Sequence, residues 1–513
     1  MTSFPWLTTI GLVPTLGAVA VLAAPKTREQ AAKSVALGTS LLTLVLTIVA
    51  CVRYDAGGSR FQLVESHSWI PAFGVRYALG VDGIALSLIA LSAVLVPIVI
   101  LASWWDAEDG ERSVRTFFAL ILVLETMMIG VFAATDVFLF YVFFEAMLIP
   151  MYFLIGSYGG AQRSYAAVKF LLYSLFGGLL MLAAVIGLYV VGNQQLAGSI
   201  GSFDFQTLVN IHITPGVEKA LFLGFFIAFA IKAPLWPFHT WLPDAAAEAP
   251  TGAAVLLVGV LDKVGTFGML RYCLPLFPDA SHYFAPVVIT LAIIGIFYGA
   301  LLAMGQPDLK RLVAYTSVAH FGFIALGVFA FTSQAQAGAT LYMVNHGFST
   351  GALFLLVGFL IHRRHSRLVG DYGGVQQVAP WLAGAFMVAG LSSLALPGLN
   401  SFVSEFLVLV GTFTRYRTAA VIATVGIVLA ALYILLVIQR TMHGPLRAGL
   451  EHTPDLSLRE AWVIAPVLAI IVALGVYPKP LLDVITPSVK ATMHDTGTTD
   501  PAPKLPVAQE GDK

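Results

Sequence analysis

Two membrane-length apolar stretches are interrupted by proline, and each carries an isolated charge beside the interruption. They are Lys232 in IKAPLWPFHTWLPDA and Glu405 in LALPGLNSFVSEFLVL. A helix crosses hydrocarbon because it satisfies its own backbone, so a break is tolerated only against protein or a wet cavity. Paired breaks in the two halves of a chain commonly mark an ion path. Glu145, in VFLFYVFFEAMLIPMYFLIGSY, lies between Asp136 and Tyr158, roughly 14 and 20 Å from the two ends of its span. An acid at that depth costs several kcal/mol unless a cation or water meets it, which makes it a functional candidate. Lys232 follows the uncharged run LFLGFFIAFAI and precedes Pro234 and Pro237, whose missing donors free carbonyls beside the lysine. A Glu145–Lys232 pair is therefore expected. It would be switchable, because a buried lysine keeps its proton beside a carboxylate and yields it when the two separate. The structural alternatives are a protonated Glu145 bonded to a neighbouring helix and a Lys232 that snorkels.

Lys263 lies in AAVLLVGVLDKVGTFGML with Asp262 beside it. Neighbours on an α-helix point about 100° apart, so Lys263 is expected to face the path while Asp262 pairs elsewhere as a local modulator. His320 in AYTSVAHFGF and His346 in LYMVNHGFST could relay protons, since histidine titrates near neutral pH. Thr316, Ser317, Asn345 and Ser349 stand near them to hold water. The alternative for each histidine is a hydrogen-bonded packing residue. Glu125 in LILVLETMMIGVF is a further membrane acid, and Lys169 in YAAVKFLLYSL is about one turn inside its span. No His/Asp/Glu group has metal-ligand spacing.

The elements that position these charges are membrane helices. The chain is 58% hydrophobic and 11% charged, against about 25% charged in soluble domains. Runs of about 20 apolar residues, enough to span hydrocarbon, give fourteen expected spans near 6–24, 32–52, 81–102, 116–133, 136–158, 166–191, 220–236, 250–272, 285–303, 312–331, 338–360, 378–410, 418–439 and 461–482. The fold class expected is an all-α polytopic membrane protein. MTSFPWL lacks the basic start of a signal peptide, so the first span is expected to be retained. Fourteen Lys and Arg fall in one set of alternate loops, Lys26 among them, and seven in the other. That bias puts the first set in the cytoplasm and both termini outside, in a bacterial-type inner membrane. Cys51 and Cys273 are too few to ligate an iron–sulfur cluster. Without GxGxxG, GxxxxGK[ST] or HExxH, nucleotide and zinc chemistry have no foothold.

Spans four to eight and nine to thirteen superpose by role: Glu145 on His320, VKFLLYSLFGGLLML on NHGFSTGALFLLVG, and one broken helix on the other. Units of five helices must sit with opposite topology. The expected organisation is helices one to three at 1–115, a first repeat at 116–272, an inverted second repeat at 285–440, a last helix at 441–482 and a disordered polar tail at 483–513. FYVFFEAMLIPMYFLIG, KAPLWPFHTWLPDAAAEAPT, GVLDKVGTFGMLR, DLKRLVAYTSVAHFG, NHGFSTGALFLLVG and LPGLNSFVSEFLVLVG resemble the antiporter-like, proton-translocating subunits of respiratory complex I and of multisubunit sodium/proton antiporters, over most of positions 80–480.

The resemblance implies that Glu145 and Lys232 are the family's paired charge and Lys263 its central lysine. It makes His320 and His346 the linking residues and Glu405 the terminal acid of the M-type branch, where other branches carry lysine. NADH, flavin, iron–sulfur clusters and quinone would belong to partner subunits, with no cofactor or metal in this chain. Partners would be other membrane subunits, neighbouring antiporter-like ones included, and the lipid bilayer, but no nucleic acid. Two positions depart from the pattern. Ala246 stands where the family has histidine, so any proton-entry role there is lost or moved to His239 or Glu248, and Asp262 stands where an apolar residue is usual. The function so implied is proton pumping coupled to NADH oxidation and quinone reduction elsewhere. The alternatives are a cation/proton antiporter subunit and a structural scaffold.

Overall fold

The computed structural model describes residues 4–25, 27–105, 112–195 and 201–502, so Lys26 and positions 503–513 lie outside the described residues. Twelve helices among the described residues are long and apolar enough to cross a membrane. Two further stretches are broken. Pro215–Lys232 stops at Lys232 and resumes as Trp241–Glu248. Pro380–Ser393 stops short of Pro397 and resumes as Asn400–Arg415.

The breaks follow from the prolines. Pro234 has no N–H for the Ala230 carbonyl, which takes Leu235 N–H instead at 2.9 Å, and the freed Ile231 carbonyl accepts from the Trp241 indole at 2.8 Å. At the second break Ala395 and Gly398 adopt left-handed φ values of 61° and 92°. There Leu396 N–H reaches back five residues to the Leu391 carbonyl.

Two spans expected to be straight are also deformed. Val137–Ala146 and Leu148–Tyr158 meet at Met147, where the Pro150 ring would crowd the Ala146 carbonyl four residues back. The Lys263 span, Thr251–Leu276, contains two π-helical segments, Leu257–Leu261 and Met269–Cys273. The second lies just before Pro275.

The all-α expectation needs one correction. Gln62–Ile70 and Val75–Val81 form an antiparallel hairpin pairing Glu65 with Leu79 and His67 with Tyr77. Its Glu65 carboxylate accepts from Leu7 N–H at 2.7 Å, an anion at the positive end of the first helix. A second correction concerns the tail expected to be disordered from 483. Lys479–Asp495 is a helix whose Ile485, Val489 and Met493 recur every four residues and are buried. Residues beyond it are also engaged: Asp500 accepts from Ser333 N–H at 2.7 Å.

Loop contacts sort into two faces. On one, Arg115 donates to the Leu22 carbonyl at 2.9 Å, Tyr158 to the Ser113 carbonyl at 2.8 Å, Gly160 N–H to the Glu248 carbonyl at 2.9 Å, and Arg363 pairs with Glu460 at 2.6 Å. On the other, Arg60 pairs with Asp495 at 2.5 Å and Gly83 N–H donates to Ser488 Oγ at 2.8 Å. There too Asp136 caps its helix by accepting from Phe138 and Leu139 N–H, both at 2.9 Å.

Candidate ion path

Glu145 is the penultimate residue of its half-helix, two residues before the Met147 kink. Its carboxylate lies on Gly178 of the helix Arg163–Gln195, where an added Cβ would come within 1.6 Å of Oε1. Lys232 is 1% exposed. Its Nζ hangs over the Phe144 ring at 4.8 Å and the Phe170 ring at 6.0 Å. Neither Glu145 Oε1 nor Lys232 Nζ has a hydrogen-bond partner. The two charges are close enough to interact electrostatically yet form no direct ion pair.

The broken Lys232 helix crosses the Lys263 helix beside both lysines. A Cβ on Gly265 would lie 2.4 Å from the Phe229 carbonyl oxygen and 2.6 Å from Ala233 N, so only glycine permits this approach without a shift. Lys263, fully buried, donates to the Val258 carbonyl. In the π-helical turn Asp262 N–H bonds Leu257 rather than Val258, which leaves that carbonyl available. Nζ also lies 2.6 Å from His346 Nδ1 and 3.0 Å from Asp262 Oδ1. The expectation that Asp262 and Lys263 face apart is thus wrong. The Lys263 side chain folds back along its own helix toward Val258, which brings Nζ beside the Asp262 carboxylate, and the neighbours form an ion pair without a directed hydrogen bond.

His346 and His320 meet edge to face with ring centroids 5.2 Å apart. His320 Nε2 lies 3.2 Å from the Tyr433 hydroxyl. Tyr342, one turn before His346, lies with its ring centroid 5.8 Å from that of His320 and donates to Glu405 Oε2 at 3.2 Å. The series Asp262, Lys263, His346, His320, Tyr433, Tyr342, Glu405 is buried throughout. The two tyrosines escaped the sequence reading, although Tyr342 stands four residues from His346, on the same helical face. Thr316 and Ser317 do not join the series, since both donate to the Val313 carbonyl of their own helix. Asn345 and Ser349 instead clamp the second break. Asn345 donates to the Asn400 carbonyl at 2.7 Å, Ser349 to Asn400 Oδ1 at 3.0 Å.

The remaining candidates lie elsewhere. Lys169 and Arg311 share Asp244, at 2.7 and 2.6 Å, on the Arg- and Lys-rich face. Glu248 is tied there by Arg367 at 3.1 Å and by Gln162 N–H at 2.9 Å, holding loops together. His239, 2% exposed with neither ring nitrogen bonded, packs against Tyr298 at 4.9 Å between centroids. Glu125 is fully buried, with both carboxylate oxygens lacking hydrogen-bond partners. Arg271 is buried against Asp82 at 2.7 Å. Among the described residues no group of three His, Cys, Asp or Glu could hold a metal ion.

Buried acids, an amine pair and imidazoles strung between two helix breaks define a multi-pass membrane protein equipped to move protons or ions. Residues 134–430 match the family model for NADH:quinone oxidoreductase/Mrp antiporter membrane regions, and residues 35–131 match that for the amino terminus of NADH-ubiquinone oxidoreductase chain 4. The chain belongs to this NADH:quinone oxidoreductase/Mrp antiporter family. It is 53% identical to NADH-quinone oxidoreductase subunit M of Mycobacterium tuberculosis, over 98% of this chain and 97% of that protein. It also resembles a chain of respiratory complex I from Thermus thermophilus, with a TM-score of 0.86 and 31% identity over 96% of this chain and 100% of that one. A chain of the Mrp complex from Dietzia shares the fold, with a TM-score of 0.83 at 21% identity over 97% of this chain and 100% of that one.

Proposed function

We propose that the chain is the M-type proton-translocating subunit in the membrane arm of an NADH:quinone oxidoreductase. The observation that supports this is the buried series from Lys263 to Glu405, hydrogen-bonded at Lys263–His346, His320–Tyr433 and Tyr342–Glu405 and in ring contact between the two histidines. The chain crosses the membrane fourteen times, with both termini outside, and the broken Lys232 and Glu405 helices are corresponding elements of two inverted repeats. A proton enters from the Arg- and Lys-rich face toward Lys263, past Lys169 and His239. It passes from Lys263 Nζ to His346 Nδ1, then through His320 and the tyrosine hydroxyls to Glu405, and leaves outside.

The Glu145–Lys232 pair sets the direction. With the two apart, the Lys232 charge repels a proton on Lys263; together they neutralise each other and Lys263 reloads. Moving one charge against 100 mV costs about 2.3 kcal/mol, so redox chemistry in partner subunits has to drive the cycle. Glu248 and Arg367 hold the entry face in place, and Asp262 anchors Lys263 at its π turn.

NADH-driven proton uptake in proteoliposomes, comparing the wild-type complex with Glu145→Gln at equal assembly, tests this reading. Loss of uptake together with NADH oxidation supports obligatory coupling, and loss of uptake alone supports a leaky one. Unchanged uptake overturns the mechanism, and no response to NADH in the wild type turns the assignment to a gradient-driven antiporter.

A further inference from the structure

At the Arg- and Lys-rich face the helix Arg417–Thr441 ends between two hollows that share His443. The larger, about 1360 Å³, opens against Gly305–Pro307 and the turn Val369–Asp371, and is lined by Gln306, Gln439, Arg440 and Arg447. Neither arginine has a carboxylate partner among the described residues. Asp371, the acid on that turn, is occupied by the Ser366 hydroxyl, and Glu451 accepts from Gly449 N–H at 2.7 Å. Just beyond the helix end, Gly374 and Gln376 N–H bond the His443 and Met442 carbonyls at 2.8 and 3.1 Å. The smaller hollow, about 310 Å³, is lined by Ala383, Met387 and Ile438 on the membrane flanks of Pro380–Ser393 and Arg417–Thr441. Beside it Trp381 is 78% exposed, as aromatic residues are at a headgroup boundary.

We propose that these hollows form one binding site for a phosphate ester, the headgroup of an anionic phospholipid, with Arg440 and Arg447 on the phosphate and an acyl chain along Ala383 and Met387. Three features coincide: unpaired guanidinium groups that suit phosphate oxygens, a polar hollow at headgroup depth on the positive face, and an apolar groove running from it between two helices. A soluble phosphate ester would use the first two and leave the groove unused. The site does not depend on the proton path.

Native mass spectrometry of the detergent-purified complex, reloaded from phosphatidylglycerol or phosphatidylcholine nanodiscs, provides the test. Wild type is expected to retain phosphatidylglycerol in preference to phosphatidylcholine, and the Arg440→Gln/Arg447→Gln variant to retain it about 30-fold less. That factor converts about 1 kcal/mol for each arginine. Equal retention of the two lipids by wild type, or of phosphatidylglycerol by variant and wild type, overturns the site. Displacement of the lipid by millimolar inorganic phosphate overturns the lipid assignment in favour of a soluble ester. Should the double variant fail to assemble, Met387→Glu, at a 41% exposed position, is expected to weaken lipid retention without altering capture of inorganic phosphate. Unchanged lipid retention in that variant overturns the acyl-chain groove.

Discussion

Gly178 is to Glu145 what an empty socket is to a lever: its missing Cβ leaves the space the carboxylate occupies. Gly178→Ala puts a methyl into that space, and the mobile carboxylate yields rather than the backbone. We expect proton uptake to fall as in Glu145→Gln, with complex yield unchanged and a stability cost below the about 1–3 kcal/mol of a rigid overpacked site; proteoliposome uptake and a melting curve read both. Tyr342→Phe removes the one donor that meets Glu405 among the described residues, a loss of about 0.5–1.5 kcal/mol. Slower proton release, with a shifted Glu405 carboxyl band in infrared difference spectra, is the expected outcome. At this scale, legibility followed charge. Glu145, Lys232, Lys263 and Glu405 stand out because an ion in an apolar run demands a reason. Tyr342 and Tyr433 do not, since a tyrosine costs little in a membrane helix until its hydroxyl is seen against His320 or Glu405. Asp262 was visible, but its pairing was not, because the angle between neighbouring Cβ atoms says nothing of how far a long lysine side chain folds back along its helix.

Elements carry the breaks. Proline announced the interruptions at Lys232 and Glu405, and the helices stop there. Pro150 and Pro275 carried the same signal for the kink beside Glu145 and for the second π segment, but uninterrupted hydropathy masked it. All the central charges but the histidines therefore lie at or near irregular backbone, where freed carbonyls offset part of the cost of burying an ion. The hairpin at 62–81 was hidden between long spans, and the Ile485–Val489–Met493 stripe was diluted by its polar neighbours. Gly265 is where the two lysine helices touch. A side chain there meets the Phe229 backbone, which has nowhere to swing. Gly265→Ala should therefore separate the helices and lower stability by about 1–3 kcal/mol, seen as a lower melting temperature together with reduced coupling. A normal melting curve would mean that the crossing is looser than drawn.

For the whole molecule, the two faces predict a labelling pattern. In a Cys51→Ser background, Ser68→Cys on the exposed hairpin should react with a membrane-impermeant maleimide in intact cells. Glu451→Cys, exposed on the opposite face, should react only after permeabilisation. The reverse pattern would invert the chain and every direction assigned to the protons. The face opposite the Arg- and Lys-rich one also joins distant parts of the sequence. Arg60 grips Asp495, and Gly83 lies so close under the last helix that a Cβ would fall 1.8 Å from the Val484 carbonyl oxygen. Gly83→Ala should pry that helix up, giving faster hydrogen exchange across 479–495. The third span therefore lacks this clasp until residues near 490 have left the ribosome. A chain that stops short of them leaves Arg60 without its carboxylate and the Gly83 end of that span uncovered.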